Sequence, residues 1–256
     1  MITLLSMWSE RQAIELFHLV FVIHLGRRVD KSLFAIKGGC NLRFFCKSIR
    51  YSEDIDFDLR TMATTTLENN VDRILASAAF TQDLRSRQIT IEHVTSAKQT
   101  DTTQRWKLGI QVGGGPALPT KIEFSRRKGL DPEHKLEAVD ADLVRTYQLH
   151  PVLAQHYSKE TAFRQKIVAL SRRNETQARD IFDLKLLLDG GAGNVAPCAE
   201  MKAEIPRAVE NALTIGYDEF SGQVRAFLLP EYFEYYSREV WEGLQETVIA
   251  RLEALA

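Results

Sequence analysis

No stretch of this chain is apolar for long enough to cross a bilayer. The most apolar run, LFHLVFVIHLG from Leu16 to Gly26, is about half the ~20 residues that a spanning helix needs. An excess of one charge is missing too. The 256 residues carry 33 Lys and Arg against 34 Asp and Glu, a formal net charge of −1. That balance argues against a protein that coats nucleic acid without sequence preference, while leaving room for local basic patches. Cysteine is scarce: Cys40, Cys46 and Cys198 are odd in number and lack metal-ligand spacing, so they read as free thiols of a reducing compartment. The N-terminal residues lack a basic segment leading into an apolar run and a small-residue cleavage site. No signal peptide is therefore expected, and the expected location is the cytoplasm with no membrane partner. What remains is ordinary globular composition, 45% hydrophobic and 26% charged, enough for one large core or two smaller ones.

Periodicity divides the chain. ERQAIELFHLVFVIHLGRRV (10–29) spaces its apolar residues for a helix with a broad buried face, within which His18 and His24 read as satisfied core residues. The short apolar segment SLFAI leads to Lys37-Gly38-Gly39, and a helix is expected from Cys40 to about Ile49. DIDFDL (54–59) alternates with period two, the mark of a half-buried strand. A helix over about 66–80 follows, then strands at 88–99, 104–112 and 120–126, the last two joined by the turn GGGPALP. After GLDPEHK the pattern becomes mostly helical, with helices at 159–173 and 178–190, a loop at GGAGNVAPC, and a last long helix after Pro230. The expectation is an α+β domain over 1–145 and a helical domain over 146–256.

The strand at 54–59 raises a physical problem. Asp54, Asp56 and Asp58 point one way while Ile55, Phe57 and Leu59 point the other. Alternate residues on a strand lie ~6.7 Å apart, where two like charges repel by roughly 2.5 kcal/mol at an effective dielectric near 20. Full solvation would make this harmless, since edge strands often carry charge against aggregation. A divalent cation shared by two carboxylates would remove the repulsion, and Mg²⁺ takes carboxylate oxygens while keeping positions for phosphates. Just upstream, Gly38-Gly39 opens a helix, where bare backbone N–H groups can meet an anion. Ser52 either orients the turn into the strand or is an exposed loop hydroxyl. Glu123, in TKIEFS, shares a strand face with Lys121 and Ser125. It is either a third acid for metal or proton transfer or part of an ordinary Lys/Glu surface.

KGGCNLRFF resembles the Lys-Gly-Gly-(Thr/Ser)-x-Leu-Arg motif of the AbiEii/AbiGii-type nucleotidyltransferase toxins, within the DNA polymerase β-like nucleotidyltransferase superfamily. RYSEDIDFDL is similar to that family's Arg-x-Ser-x-Asp-(Leu/Ile)-Asp-Phe, KIEF to its third-carboxylate strand, and KIVALSRRNETQARDIFDL to its helical motif. The likeness runs from about residue 30 to 190. It implies a polymerase β-like core with a mixed sheet and a helical C-terminal domain. It also implies transfer of a nucleoside monophosphate from an NTP to an RNA (tRNA included) or protein acceptor, with Mg²⁺ or Mn²⁺. By the same resemblance Asp54, Asp56 and Glu123 hold metal. Lys37, Gly38, Gly39, position 40, Arg43, Ser52 and Arg173 serve the nucleotide, and Lys166, Asp180 and Asp183 join in catalysis. An antitoxin encoded nearby is a further implication.

Position 40 departs from the motif, being Cys where the family has Thr or Ser. A thiol donates weakly, so the alternative is a non-catalytic nucleotide or RNA binder. Asp180 and Asp183, three apart on one helix face, can orient Lys166 or Arg173, or Asp183 can pair with Arg179. The aromatics of PEYFEYYSREVW suit either a core or dimer face or a base-stacking platform. Arg126-Arg127-Lys128 and Arg172-Arg173 either steer an acceptor or are solvated charge. His150 and His156 carry no assignment from sequence.

Overall fold

The computed structural model describes residues 8–126, 133–194 and 196–256; Arg127 and Lys128 of the basic run lie outside them. The chain forms two compact units. The first runs to Phe45 and resumes over Tyr51–Tyr157; the second comprises Cys46–Arg50 and Ser158–Ala256.

The first unit begins with α1 (Glu10–Arg28), opened by a reciprocal cap in which Ser9 and Gln12 each take the other's backbone N–H. Its apolar residues run nearly all round the helix, and Ala13, Leu16, Phe17, Leu19, Val20, Phe21, Val22 and Leu25 are all buried. A helix of that kind needs neighbours on most sides. They come from α3 (Thr64–Leu75) and α4 (Ala78–Arg85) and from the sheet.

The sheet contains β1 (Phe34–Lys37), β2 (Ile55–Leu59), β3 (Ile89–Gln99), β4 (Thr103–Val112), β5 (Leu118–Ser125), β6 (His134–Ala138) and β7 (Leu153–Tyr157). Their order is β3-β4-β5-β2-β1-β7-β6. β2 pairs antiparallel with β1 and parallel with β5, and β1 pairs parallel with β7, so the sheet is mixed. Ile55, Phe57 and Leu59 fill one face. Phe57 stacks on Phe124 with centroids 4.7 Å apart and meets Phe34 and Phe21 at 5.7 and 6.2 Å. The turn expected between β4 and β5 is present, with Gly113 and Gly114 both at positive φ. His18 and His24 are buried and partnered, by Thr120 at 2.8 Å and Asp83 at 2.7 Å.

Three expectations change. The helix α2 (Gly38–Phe45) stops at Phe45 instead of reaching Ile49. Lys47 adopts positive φ, which breaks helical geometry two residues after Phe45, and the carbonyl of Ile49 accepts from the Leu229 amide at 3.0 Å. The helix expected over 66–80 is two, because Ser77 leaves helical geometry to cap α4 through the Phe80 amide. Residues 134–138 and 153–157 are strands in a region read as helical. They are short, and β6 is largely exposed, so the alternation that marks a half-buried strand is absent. β7 belongs to the first unit, which ends at Tyr157. The last long helix expected after Pro230 is α10, which spans Arg238–Glu253 and is capped by Ser237; Pro230 itself opens a three-residue turn. The short helix α5 (Ala141–Thr146) lies between β6 and β7.

The second unit packs α6 (Lys159–Arg172), α7 (Ala178–Asp189), α8 (Ala199–Leu213) and α9 (Tyr217–Gln223) with α10. Trp241 is buried and stacks on Phe220 at 4.4 Å, and Tyr236 meets Phe182 at 5.4 Å. Of the aromatics in PEYFEYYSREVW, Trp241 is a core residue, Tyr232, Phe233 and Tyr236 are half-buried, and Tyr235 is exposed. Among the described residues no helix is long and apolar enough to cross a membrane.

Phe57→Ala is expected to cost about 3–5 kcal/mol, the usual loss for a buried phenylalanine that neighbours cannot collapse onto. Urea unfolding of the variant beside the natural chain measures it.

Candidate active site

On the face of the sheet opposite Phe57, register places Lys37, Asp56, Glu123 and Arg105 side by side across β1, β2, β5 and β4. The charges run plus, minus, minus, plus. Glu123 accepts from Arg105 Nε at 2.6 Å, and Asp54, just ahead of β2, accepts from Lys121 Nζ at 2.7 Å. Asp58 is buried and doubly held, by Lys37 Nζ at 2.5 Å and by the Tyr157 hydroxyl at 2.9 Å.

Asp56 differs. It lies between Asp54 and Glu123, and its carboxylate accepts no hydrogen bond from a described side chain. Burial pushes its carboxyl above the usual range; Glu123 and Asp54 add to that, while Lys121 and Lys37 oppose it. A carboxylate short of positive charge, beside two further acids, suits a divalent cation, which binds oxygen donors of this type. Space is left for one on the side of Gly38, where an added Cβ would come within 3.4 Å of Asp56 Oδ2. Gly38 also has φ +67, a conformation that disfavours any side chain. Gly39 follows it in the first turn of α2. Among the described residues, no three acids, histidines or cysteines already converge as a metal cluster; Asp54 and Glu123 are turned to their basic partners.

The backbone leading into β2 is clamped from beneath. The Asp54 carbonyl accepts from the Ser52 hydroxyl at 2.9 Å and from the Cys40 thiol at 3.3 Å. The Glu53 carbonyl accepts from Thr120 at 2.7 Å. Since that hydroxyl donates to Glu53, its oxygen accepts from His18 Nε2, which leaves His18 Nδ1 bare and 3.7 Å from Cys40. The position expected to meet phosphate therefore directs its side chain inward, and Cys40 is 1% exposed. Burial pushes its thiol well up, which makes it a poor nucleophile.

Arg43 is tied down as well. Its guanidinium donates to buried Glu15 at 2.6 and 3.2 Å, Tyr147 donates to the same carboxylate at 2.6 Å, and Tyr51 lies under the guanidinium. Asn41 binds the Tyr157 carbonyl at 3.1 Å and His156 at 3.0 Å. α2 is thus fastened at Cys40, Asn41 and Arg43, behind the two glycines.

The second unit holds a separate cluster. Lys166 Nζ meets Asp180 at 2.8 Å and Asp183 at 2.6 Å. Arg173 Nε meets Asp180 at 2.5 Å, and Arg50 meets both oxygens of Asp183 at 3.1–3.2 Å. Both aspartates are fully buried. Burial would raise the Asp180 carboxyl, but Lys166 and Arg173 outweigh it and hold it at about 2. Among the described residues, Lys166, Arg173 and Arg50 are the cations seen on these two aspartates.

Residues 21–227 match the family described as Nucleotidyl transferase AbiEii toxin, Type IV TA system. The chain belongs to this family. It is a nucleotidyltransferase of the toxin class. A comparison with curated proteins finds no match. Among solved structures, the chain is similar to JHP933 from Helicobacter pylori at 17% identity and TM-score 0.64, covering 98% of this chain and 95% of that one. It is also similar to MenT4, a nucleotidyltransferase toxin from Mycobacterium tuberculosis, at 16% identity and TM-score 0.59, covering 97% and 87%. At such identities the likeness is one of fold, an α+β fold with a mixed sheet.

In this AbiEii member the acids Asp54, Asp56 and Glu123 come together with Gly38, Gly39 and Lys37 in the sheet unit. Lys166, Arg173, Asp180 and Asp183 come together in the helical one. Ser52 and Cys40 hold backbone, and Arg43 holds Glu15. Arg50, His18, Thr120, Arg105 and Lys121 were missing from the sequence-based set. Arg50 opens the RYSEDID motif, which was a usable signal; His18 and Thr120 lie far from the motif and carried none.

Two outcomes follow from these networks. Asp183→Ala takes one buried partner from each of Arg50 and Lys166, the latter keeping Asp180, and is expected to cost about 3–5 kcal/mol in unfolding free energy. His18, lowered to about 4 by burial despite the opposing field of Asp54, stays neutral when folded but protonates near its ordinary value when unfolded. The unfolded chain therefore binds the extra proton first as pH falls. His18's contribution to stability is complete above pH 6.5 and declines toward pH 4, by about 1.4 kcal/mol per unit over that window. His18→Gln should show a flatter decline in urea unfolding across the same range.

Proposed function

We propose that the protein moves a nucleoside monophosphate from an NTP to an RNA or protein acceptor, releasing pyrophosphate, with Mg²⁺ or Mn²⁺ bound at Asp54 and Asp56. The observation that carries this is Asp56, a carboxylate without a hydrogen-bond partner among the described side chains, between two acids and next to Gly38. When bound, the cation supplies charge neutralisation at the phosphates, the chief demand of phosphoryl transfer. Glu123 completes the acidic set, as a further ligand or as the base that takes the acceptor's proton. Gly38 and Gly39 leave the start of α2 open for phosphate oxygens, with Lys37 alongside. Ser52, Cys40 and Arg43 act through the backbone and through α2 by holding both in place.

Lys166, Asp180 and Asp183 are assigned to the transfer step and Arg173 to the nucleotide. This rests on the family motif and on the close pairing of Lys166 and Arg173 with the two aspartates. The family supports a cognate antitoxin as partner, and tRNA falls within the RNA class of acceptors. A binder without chemistry draws its support from Cys40. The inward turn of that thiol weakens the case, because a poorer donor there removes nothing from the phosphate side.

Incubation with each α-labelled NTP, Mg²⁺ and cell extract tests the reading. Label is expected on a macromolecule with the natural chain, and at least about a hundredfold less with Asp56→Asn, as befits loss of a metal ligand. Sensitivity of the labelled product to ribonuclease or protease assigns the acceptor class. Undiminished labelling by the folded variant would refute the assignment.

A further inference from the structure

We propose that Lys121 is a phosphate-binding residue that Asp54 holds in place until the metal arrives. The proposal rests on the reading of Asp54 and Asp56 as metal ligands. Lys121 Nζ lies 2.7 Å from Asp54 Oδ2, and both side chains are a little over a quarter exposed, at 28% and 29%. Ion pairs at such exposure are weak and exchangeable. A carboxylate that takes a divalent cation also brings that cation's charge against the lysine, so the ammonium has to leave.

Its destination is limited by the fold. Lys121 is two residues before Glu123 on β5, whose register with β2 and β4 holds its Cα in place. Register sets Lys121 diagonally across from Asp56, whose ionised form it favours, and Asp56 Oδ2 lies beside Gly38 at the opening of α2. Negative oxygen entering there is the natural partner for a displaced ammonium. The neighbouring cations are more committed: Lys37 serves a buried aspartate that Tyr157 also holds, and Arg105 sits one strand further from Asp56. Lys121 would thus answer the acids in the empty protein and the triphosphate in the loaded one.

Opposite signs in one variant test this. In Lys121→Met, Mn²⁺ titrated calorimetrically into the nucleotide-free full chain should bind about three- to tenfold tighter, because the competing ammonium is gone. KM for the NTP should rise about tenfold, the usual worth of one charge-assisted contact. Lys121→Arg should restore KM, and a thermal melt of each variant checks folding. A merely structural lysine would weaken both bindings together or change neither. Unchanged or weaker Mn²⁺ binding by folded Lys121→Met, with Asp56→Asn abolishing Mn²⁺ binding, overturns the role of Lys121. Unchanged Mn²⁺ binding by Asp56→Asn overturns the metal site itself, and this inference with it.

Discussion

Three aspartates on one strand face need their charge answered, and much of the sheet unit is arranged around that need. Lys37 and Tyr157 neutralise Asp58 inside the fold, Lys121 takes Asp54, and Arg105 takes Glu123. Asp56 is left over. Register makes this arrangement possible: the antiparallel pairing of β1 with β2 and the parallel pairing of β2 with β5 align Lys37, Asp56 and Glu123 in one row. A slip of one residue would send the acids into the aromatic core and Phe57 into solvent. The packing of Phe57 on Phe124, with α1 behind it, therefore sets where the acids stand as well as stabilising the unit.

The clamp beneath Asp54 serves the same end through the backbone. Two successive carbonyls, those of Glu53 and Asp54, are held by Thr120, Ser52 and Cys40, with His18 behind. These partners come from β5, the turn before β2, α2 and α1, so four parts of the unit agree on two successive peptides. Close positioning is what phosphoryl transfer asks of a protein. A thiol at position 40 is compatible with that duty, because its acceptor is a carbonyl in the core.

In the helical unit the same economy of charge takes another form. Lys166 is buried between two aspartates, each with a second cation, Arg173 or Arg50. Such a network is a costly way to gain stability. It does fix the geometry of its members closely. The three-residue spacing of Asp180 and Asp183 puts both on the face of α7 that meets Lys166.

Short-range pattern alone determined a good part of this protein. Period-two alternation in DIDFDL separates acids from core, the glycines before α2 and at the β4–β5 turn mark their bends, and the ordered motifs mark the family. These are legible because each depends on neighbours within a few residues. Tertiary structure decided the rest. β6 and β7 lack alternation because one is largely exposed, α2 stops at Phe45 just before Lys47 turns to positive φ, and Arg43 answers a glutamate 28 residues away. It also decided which of the three aspartates has no hydrogen-bond partner among the described side chains. That choice depends on cations from β1, β4 and β5, whose approach is set by strand order and by no local signal in the chain.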